Sequence, residues 1–333
     1  MTDPLLKVTD LIVGFKQFGG IAHIIDGVTF EVGENEVVAL VGETGCGKSL
    51  TLKSIAQSLS LKRALISGSI LLKGNDLLKM SEKDARKLVR KYISMIPQNV
   101  MTSLSPRMTI GQQLSELIYF KEKESIRPWQ IFSGVPKSEK VGVEEKAMEI
   151  LHDVSMPDPE KTMKSYPFEL SGGMMQRVLI ALALCGNPIL LLADEPGTAL
   201  DVTTFSTILE MLNLLIKEGS LSMIYVTHNL AVARRISQRI CIMYAGDIVE
   251  SGRTYNIYAD AMHPYTKALI QSVPKLTKTP ISGIGGRIPD YQNPPTGCRF
   301  HPRCKWSKKI CKTKKPTQVS LGIDHSVKCH LFS

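Results

Sequence analysis

Five apolar residues, Val37-Val38-Ala39-Leu40-Val41, run straight into Gly42-Glu43-Thr44-Gly45-Cys46-Gly47-Lys48-Ser49, and this junction limits the possible folds more than any other stretch of the 333-residue chain. A strand with no solvated face belongs inside a sheet covered on both sides. Strand, glycine-rich turn and helix, in that order, is the context in which G-x-x-x-x-G-K-[ST] cradles phosphate. Gly42, Gly45 and Gly47 let the backbone N–H groups converge. The helix expected to begin near Ser49 adds the positive end of its dipole. In such a site Lys48 reaches the β- and γ-phosphates and the Ser49 hydroxyl ligates Mg²⁺. Residues 42–49, with Leu50 behind them, are therefore the candidate nucleotide-binding loop.

A second apolar strand, Ile189-Leu190-Leu191-Leu192-Ala193, ends in Asp194-Glu195-Pro196. A carboxylate at the end of such a strand suits the Mg²⁺ shell, which points to Asp194. Glu195 projects differently and can take a proton from an attacking water, as a general base. Further candidates lie in Leu170-Ser171-Gly172-Gly173-Met174-Met175-Gln176-Arg177. Ser171 is a good helix N-cap, and Met174, Met175, Val178, Leu179, Leu182 and Cys185 follow at helical spacing. Gly186-Asn187-Pro188 stops that helix. Two glycines at a helix start cost stability unless an anion must approach the backbone closely, and a γ-phosphate is the natural anion.

Over roughly residues 5–258 these strings resemble the nucleotide-binding subunit of an ATP-binding cassette transporter, whose signature is LSGGxxQ. The resemblance implies roles for further residues. Gln98 matches the Q-loop that contacts the metal site, Ala199-Leu200-Asp201 the D-loop, and His228 the switch histidine near the γ-phosphate. Phe15 stands where the family stacks an aromatic on adenine, with Phe18 as a competitor. Ser171, Gly172, Gly173 and Gln176 of one subunit would complete the ATP site of another. The implied fold is α/β: a P-loop NTPase (RecA-like) core with an antiparallel β subdomain, an inserted α-helical subdomain at about 98–186, and a small irregular C-terminal cysteine module. The nucleotide-binding domain would span 1–258 and the extension 259–333.

Three longer strings, MTSLSP, DEPGTALDVT and HPYTKALIQSVPKL, with PPTGCRFHPRC near the C-terminus, resemble the oligopeptide/dipeptide branch of importers. Two positions depart from the branch pattern: Gly197 replaces a usual threonine and Asn229 a usual aspartate. The resemblance implies a second, paralogous ATPase subunit, two transmembrane permease subunits and, indirectly, an extracytoplasmic solute-binding protein. The expected activity is ATP hydrolysis driving peptide uptake. Nickel and sugar importers share the branch and remain alternative readings. A nucleic-acid-associated cassette ATPase is a third, supported by the net charge of +10 and opposed by the importer-like strings.

Four of the seven cysteines, Cys298, Cys304, Cys311 and Cys329, fall in the last 36 residues with gaps of 5, 6 and 17. The C-x₂₋₄-C pairs usual for structural zinc are absent. Four thiolates on an irregular loop suit a [4Fe–4S] cluster, which the resemblance also implies. Zn²⁺ with His301, His325 or His330, and disulfides or free thiols, are the alternatives, although a reducing nucleotide pool disfavours disulfides. Cys46, Cys185 and Cys241 read as small buried or loop residues. From residue 296 onward, nine Lys and Arg face Asp324 alone, so this tail carries nearly all of the net charge. Such cations could stabilise an anionic cluster or lie near anionic lipid.

With 43% hydrophobic and 22% charged residues the composition is that of a globular protein. No segment reaches the about 18 apolar residues of a membrane span, and the N-terminus lacks a secretion signal. Attachment to the cytoplasmic face of the membrane through partner subunits is expected. Residues 5–41 should be strand-rich, 122–143 a loop or short-helix insertion, and 277–295 a linker.

Overall fold

The structure, a computed structural model, describes residues 3–17, 20–59, 64–100, 102–123, 134–197, 202–218, 221–273, 284–322 and 324–333. Phe18 and Ala199-Leu200-Asp201, expected as an adenine contact and the D-loop, lie outside the described residues. Two compact units are present: residues 1–85 with 222–333, and residues 86–221.

In the first unit the strand Val37–Val41 is buried at every position. It runs parallel to Ser222–Thr227 on one side and Arg239–Tyr244 on the other, which is why its sequence shows no alternation. Arg239–Tyr244 turns back through Ala245 and Gly246, both at positive φ, into the antiparallel strand Asp247–Arg253. That turn meets the nucleotide loop: the Gly246 N–H donates to the Cys46 carbonyl at 2.9 Å, and the Asp26 N–H to the Gly246 carbonyl at 2.8 Å. A separate antiparallel sheet holds Gly20–Val32, Leu6–Gln17, Ala64–Leu72 and Asn75–Asp76, in that spatial order.

The C-terminal residues add to the same unit. His325–Lys328 pairs antiparallel with Asp247–Arg253, and Gln318–Ser320 pairs with His325–Lys328. Of the linker expected at 277–295, residues 277–283 lie outside the described residues; 284–295 lack regular structure, and Ile284 and Ile288 pack against the buried core. An aromatic seam fastens the extension. Phe300 lies 5.0 Å from the Tyr244 ring and 5.4 Å from the Tyr265 ring, and those two tyrosines are 4.7 Å apart. Each such pair contributes about 0.5–1.5 kcal/mol beyond its burial.

The basic tail does more than was expected of it. Arg299 and Lys315 pair with Asp26, Lys315 and Lys328 with Asp247, and Arg303 with Glu43. Four of its nine cations are therefore spent on acids that precede residue 296.

In the second unit Ile93–Ile96 runs parallel to Leu190–Asp194. Among the described residues, five α-helices lie wholly within this unit: Ile110–Glu122, Lys137–Asp153, Pro159–Lys164, Gly172–Leu184 and Val202–Glu218. The first carries a reciprocal capping box between Thr109 and Gln112. Of the loop or short-helix insertion expected at 122–143, residues 124–133 lie outside the described residues, and 137–143 are helical, opening a 17-residue helix that follows Pro136. No helix among the described residues is long and apolar enough to cross a membrane.

One buried group ties stability to pH. His263 caps the helix Pro264–Gln271, its Nδ1 accepting the Tyr265 N–H at 3.1 Å, and burial pushes its pKa from 6.5 down to about 3. Between these values the unfolded chain binds the extra proton, so this contribution to stability is complete above 6.5 and declines as pH falls towards 3. His263→Asn keeps a capping acceptor and removes the titration. Its Tm should vary less between pH 6.5 and 4 than that of the wild type, and parallel curves would count against this assignment.

Candidate nucleotide site

In each unit a strand ends where chemistry is needed. In the first unit, a Cβ on Gly42 would run into the Met243 carbonyl, so only glycine lets the chain leave the strand there. Gly45 and Gly47 hold φ of 87° and 108°, values that side chains resist. The helix Lys48–Ile55 starts one residue earlier than expected. Lys48 is only 5% exposed, and its ammonium donates to the carbonyls of Gly42 at 2.7 Å and Glu43 at 2.9 Å. The lysine is thus satisfied inside its own loop. Thr44 and Gly45 are exposed, Ser49 and Leu50 are half-buried, and burial pushes the Cys46 thiol up.

Phe15 is half-buried on the strand Leu6–Gln17, paired with Ala22 on one neighbour and Ala64 on the other. His228 is exposed just after the buried strand Ser222–Thr227. Asn229 caps the following helix, its Oδ1 accepting the N–H of Ala231 at 2.9 Å, a role its amide fills as an aspartate would.

In the second unit, Asp194 ends the strand Leu190–Asp194 and is 3% exposed. Glu195 follows with φ of 46°, a left-handed conformation that costs a non-glycine residue about 1 kcal/mol and turns its side chain off the strand direction. Gln98 Nε2 donates to the Glu195 carboxylate at 3.5 Å, so two residues 97 apart in sequence meet. Ser171 caps the helix Gly172–Leu184, its Oγ accepting the Met174 N–H at 3.3 Å. Ser171 and Gly172 are exposed, and no acid stands in the first helical turn. Gln176 differs from what a contact residue needs. It is 1% exposed, and its Nε2 has no hydrogen-bond partner among the described residues.

Glycine at 197 also has a physical reason: the ring of Phe205 occupies the space a Cβ would take. Three further residues touch the phosphate loop, and the motifs gave no notice of them: Tyr265, Tyr291 and Arg303. The first and last lie within the strings HPYTKAL and FHPRC, whose side chains were read for family likeness and not for contacts.

The cysteines stand in two environments. Cys185 and Cys241 are buried, their thiols pushed up to about 12 by desolvation. In the tail, Cys298, Cys304 and Cys329 take backbone hydrogen bonds from Phe300, Trp306 and Leu331, and the Lys308 N–H lies 3.4 Å from the Cys311 sulfur. The histidines offered as zinc ligands are otherwise engaged: His301 with the Cys298 carbonyl, His325 with Glu250 and His330 with the Lys314 carbonyl. Among the described residues no three His, Cys, Asp or Glu side chains gather as ligands of one metal ion.

Comparison with known proteins decides the family. The ABC transporter family matches residues 25–198, and the oligopeptide/dipeptide transporter C-terminal region matches 249–311. This chain belongs to the ABC transporter family, as an ATP-hydrolysing subunit. It is 40% identical to the oligopeptide transport ATP-binding protein OppD of Bacillus subtilis, over 98% of this chain and 89% of that protein. To the dipeptide transport ATP-binding protein DppD of Caldanaerobacter subterraneus it is 38% identical, covering 98% and 97%. The dimeric post-hydrolysis structure of the ATP-binding cassette MJ0796, bound to ADP and phosphate, covers 75% of this chain with a TM-score of 0.63 and 25% identity; the match spans 98% of that chain.

Restoring the usual threonine at the departure from this family's pattern should be harmful. Gly197→Thr would overpack against Phe205 and lower stability by about 1–3 kcal/mol in urea unfolding. Adding Phe205→Ala should recover most of that loss. A single variant as stable as wild type would contradict the packing described.

Proposed function

We propose that this chain energises the uptake of oligopeptides or dipeptides from the cytoplasmic face of the membrane. It would work beside a second, paralogous ATP-binding subunit and two transmembrane permease subunits, with an extracytoplasmic solute-binding protein delivering the cargo. The similarity of its residues 249–311 to the peptide-transporter C-terminal region carries the cargo assignment. Residues 1–258 would form the nucleotide-binding domain and 259–333 the extension.

The roles follow from the chemistry each position offers. N–H groups of residues 42–49 and the Lys48 ammonium take the phosphates, and Phe15 takes the adenine face. Ser49, Asp194 and Gln98 bring hydroxyl, carboxylate and amide oxygens, the hard donors Mg²⁺ prefers, so the residues fit that ion. When bound, Mg²⁺ offsets negative charge on the β- and γ-phosphate oxygens. Glu195 accepts the proton of the water attacking the γ-phosphorus, Gln98 orients its carboxylate, and His228 attends the γ-phosphate. ADP and phosphate leave.

Ser171, Gly172 and Gly173 of one subunit present a helix N-terminus to the γ-phosphate held by the neighbour, and the Asp201 carboxylate is assigned to nucleotide binding as well. Gln176 shapes that helix start from inside. Nucleotide would favour the paired state of the two subunits and hydrolysis would release it, a population shift that the permeases convert into pore orientation.

The tail cysteines fit a [4Fe–4S] cluster better than zinc. All four sulfurs accept a backbone N–H, an arrangement suited to thiolates of an anionic cluster. Zinc would recruit histidines that have other partners here.

In the assembled transporter, Glu195→Gln should retain ATP binding and lose hydrolysis by about 100-fold or more. Turnover at the wild-type rate would remove Glu195 from its role. Anaerobically purified protein should show broad visible absorption near 400 nm (~) that Cys298→Ala or Cys311→Ala abolishes. A colourless wild type containing zinc would reverse the assignment.

A further inference from the structure

Three side chains from beyond the ATP-binding motifs close on two residues of the phosphate loop. Arg303 donates from both terminal nitrogens to the two carboxylate oxygens of Glu43, at 2.9 and 3.0 Å. The Tyr265 hydroxyl accepts the Glu43 N–H at 3.0 Å, and the Tyr291 hydroxyl donates to the Gly45 carbonyl at 2.8 Å. Backbone and side chain of Glu43 are therefore both held from outside the loop.

These contacts are themselves well supported. Arg303 is only 6% exposed, and its guanidinium also donates to the carbonyls of Gly285 at 2.7 Å and Ile284 at 3.1 Å. A bidentate, shielded pair of this kind keeps its geometry better than a surface ion pair. His263 fixes the start of the Tyr265 helix, and the Glu250 carboxylate accepts the N–H of His263 at 2.9 Å. The seam of Tyr244, Tyr265 and Phe300 sits directly behind.

We infer that Arg303, with Tyr265 and Tyr291, positions the phosphate loop for ATP, so the C-terminal extension is a working part of the nucleotide site. A loop with two glycines at positive φ loses much conformational freedom when it closes on phosphate. Fixing residues 43 and 45 in advance removes part of that loss and raises affinity without touching the nucleotide. Arg303 stands next to Cys304, so the cysteine module and the loop share one brace.

This inference rests on the ATP-binding reading, and its test separates the two. In the assembled full-length transporter, Arg303→Ala should weaken binding of a fluorescent ATP analogue and raise the ATP KM about tenfold, with kcat changed less than about twofold. Tyr291→Phe removes one oxygen and should raise KM by about threefold. Arg303→Lys, which cannot form the fork, should restore only part of the affinity. Because the effect passes through Glu43, Arg303→Ala should add nothing in a Glu43→Ala background. Hydrogen exchange at residues 43–49 should quicken in both single variants. Equal KM and analogue affinity in Tyr291→Phe and Arg303→Ala, or additive effects of Arg303→Ala and Glu43→Ala, would overturn the inference. Failure of the wild type itself to bind the analogue would instead overturn the ATP reading.

Discussion

The approach of Gly42 to the Met243 carbonyl is the constraint from which the rest of the nucleotide site is arranged. The chain leaves a fully buried strand, passes close against the neighbouring strand and must then turn within a few residues. Only a residue without a side chain can make that passage, and only glycines can hold the two left-handed conformations that follow. The turn at Ala245–Gly246 packs against the same loop from outside, linking Cys46 to Asp26 through Gly246. Sheet, hairpin and loop are thus a single packing problem with a single solution.

The C-terminal extension belongs to this solution physically as well as in sequence order. Its strand His325–Lys328 continues the sheet, its Phe300 fills an aromatic seam, and its basic side chains neutralise Asp26, Glu43 and Asp247. Charges that looked surplus along the chain are partnered in three dimensions. Asp26 shows the effect: burial works against its charge, but Lys315 and Arg299 outweigh this and hold its carboxyl below the ordinary range.

Much of the site was legible because its residues are adjacent in sequence. The loop, the Asp194-Glu195 strand end and the Ser171 cap each occupy one short string whose spacing carries its geometry. What could not be read required partners far apart. Gln98 meets Glu195 across 97 residues, and Arg303 meets Glu43 across 260. The length of the helix at Lys137 was not legible, because Pro136 and the polar run before it leave loop and short helix equally open. Gln176 was read as a contact from the motif alone; its burial depends on packing that no local pattern encodes.

The carbonyl cradle around Lys48 bears on how the loop takes phosphate. Its ammonium is buried and donates to two carbonyl oxygens of its own loop. A phosphate that meets this cation finds it already aimed by two fixed acceptors, with a further N–H to give.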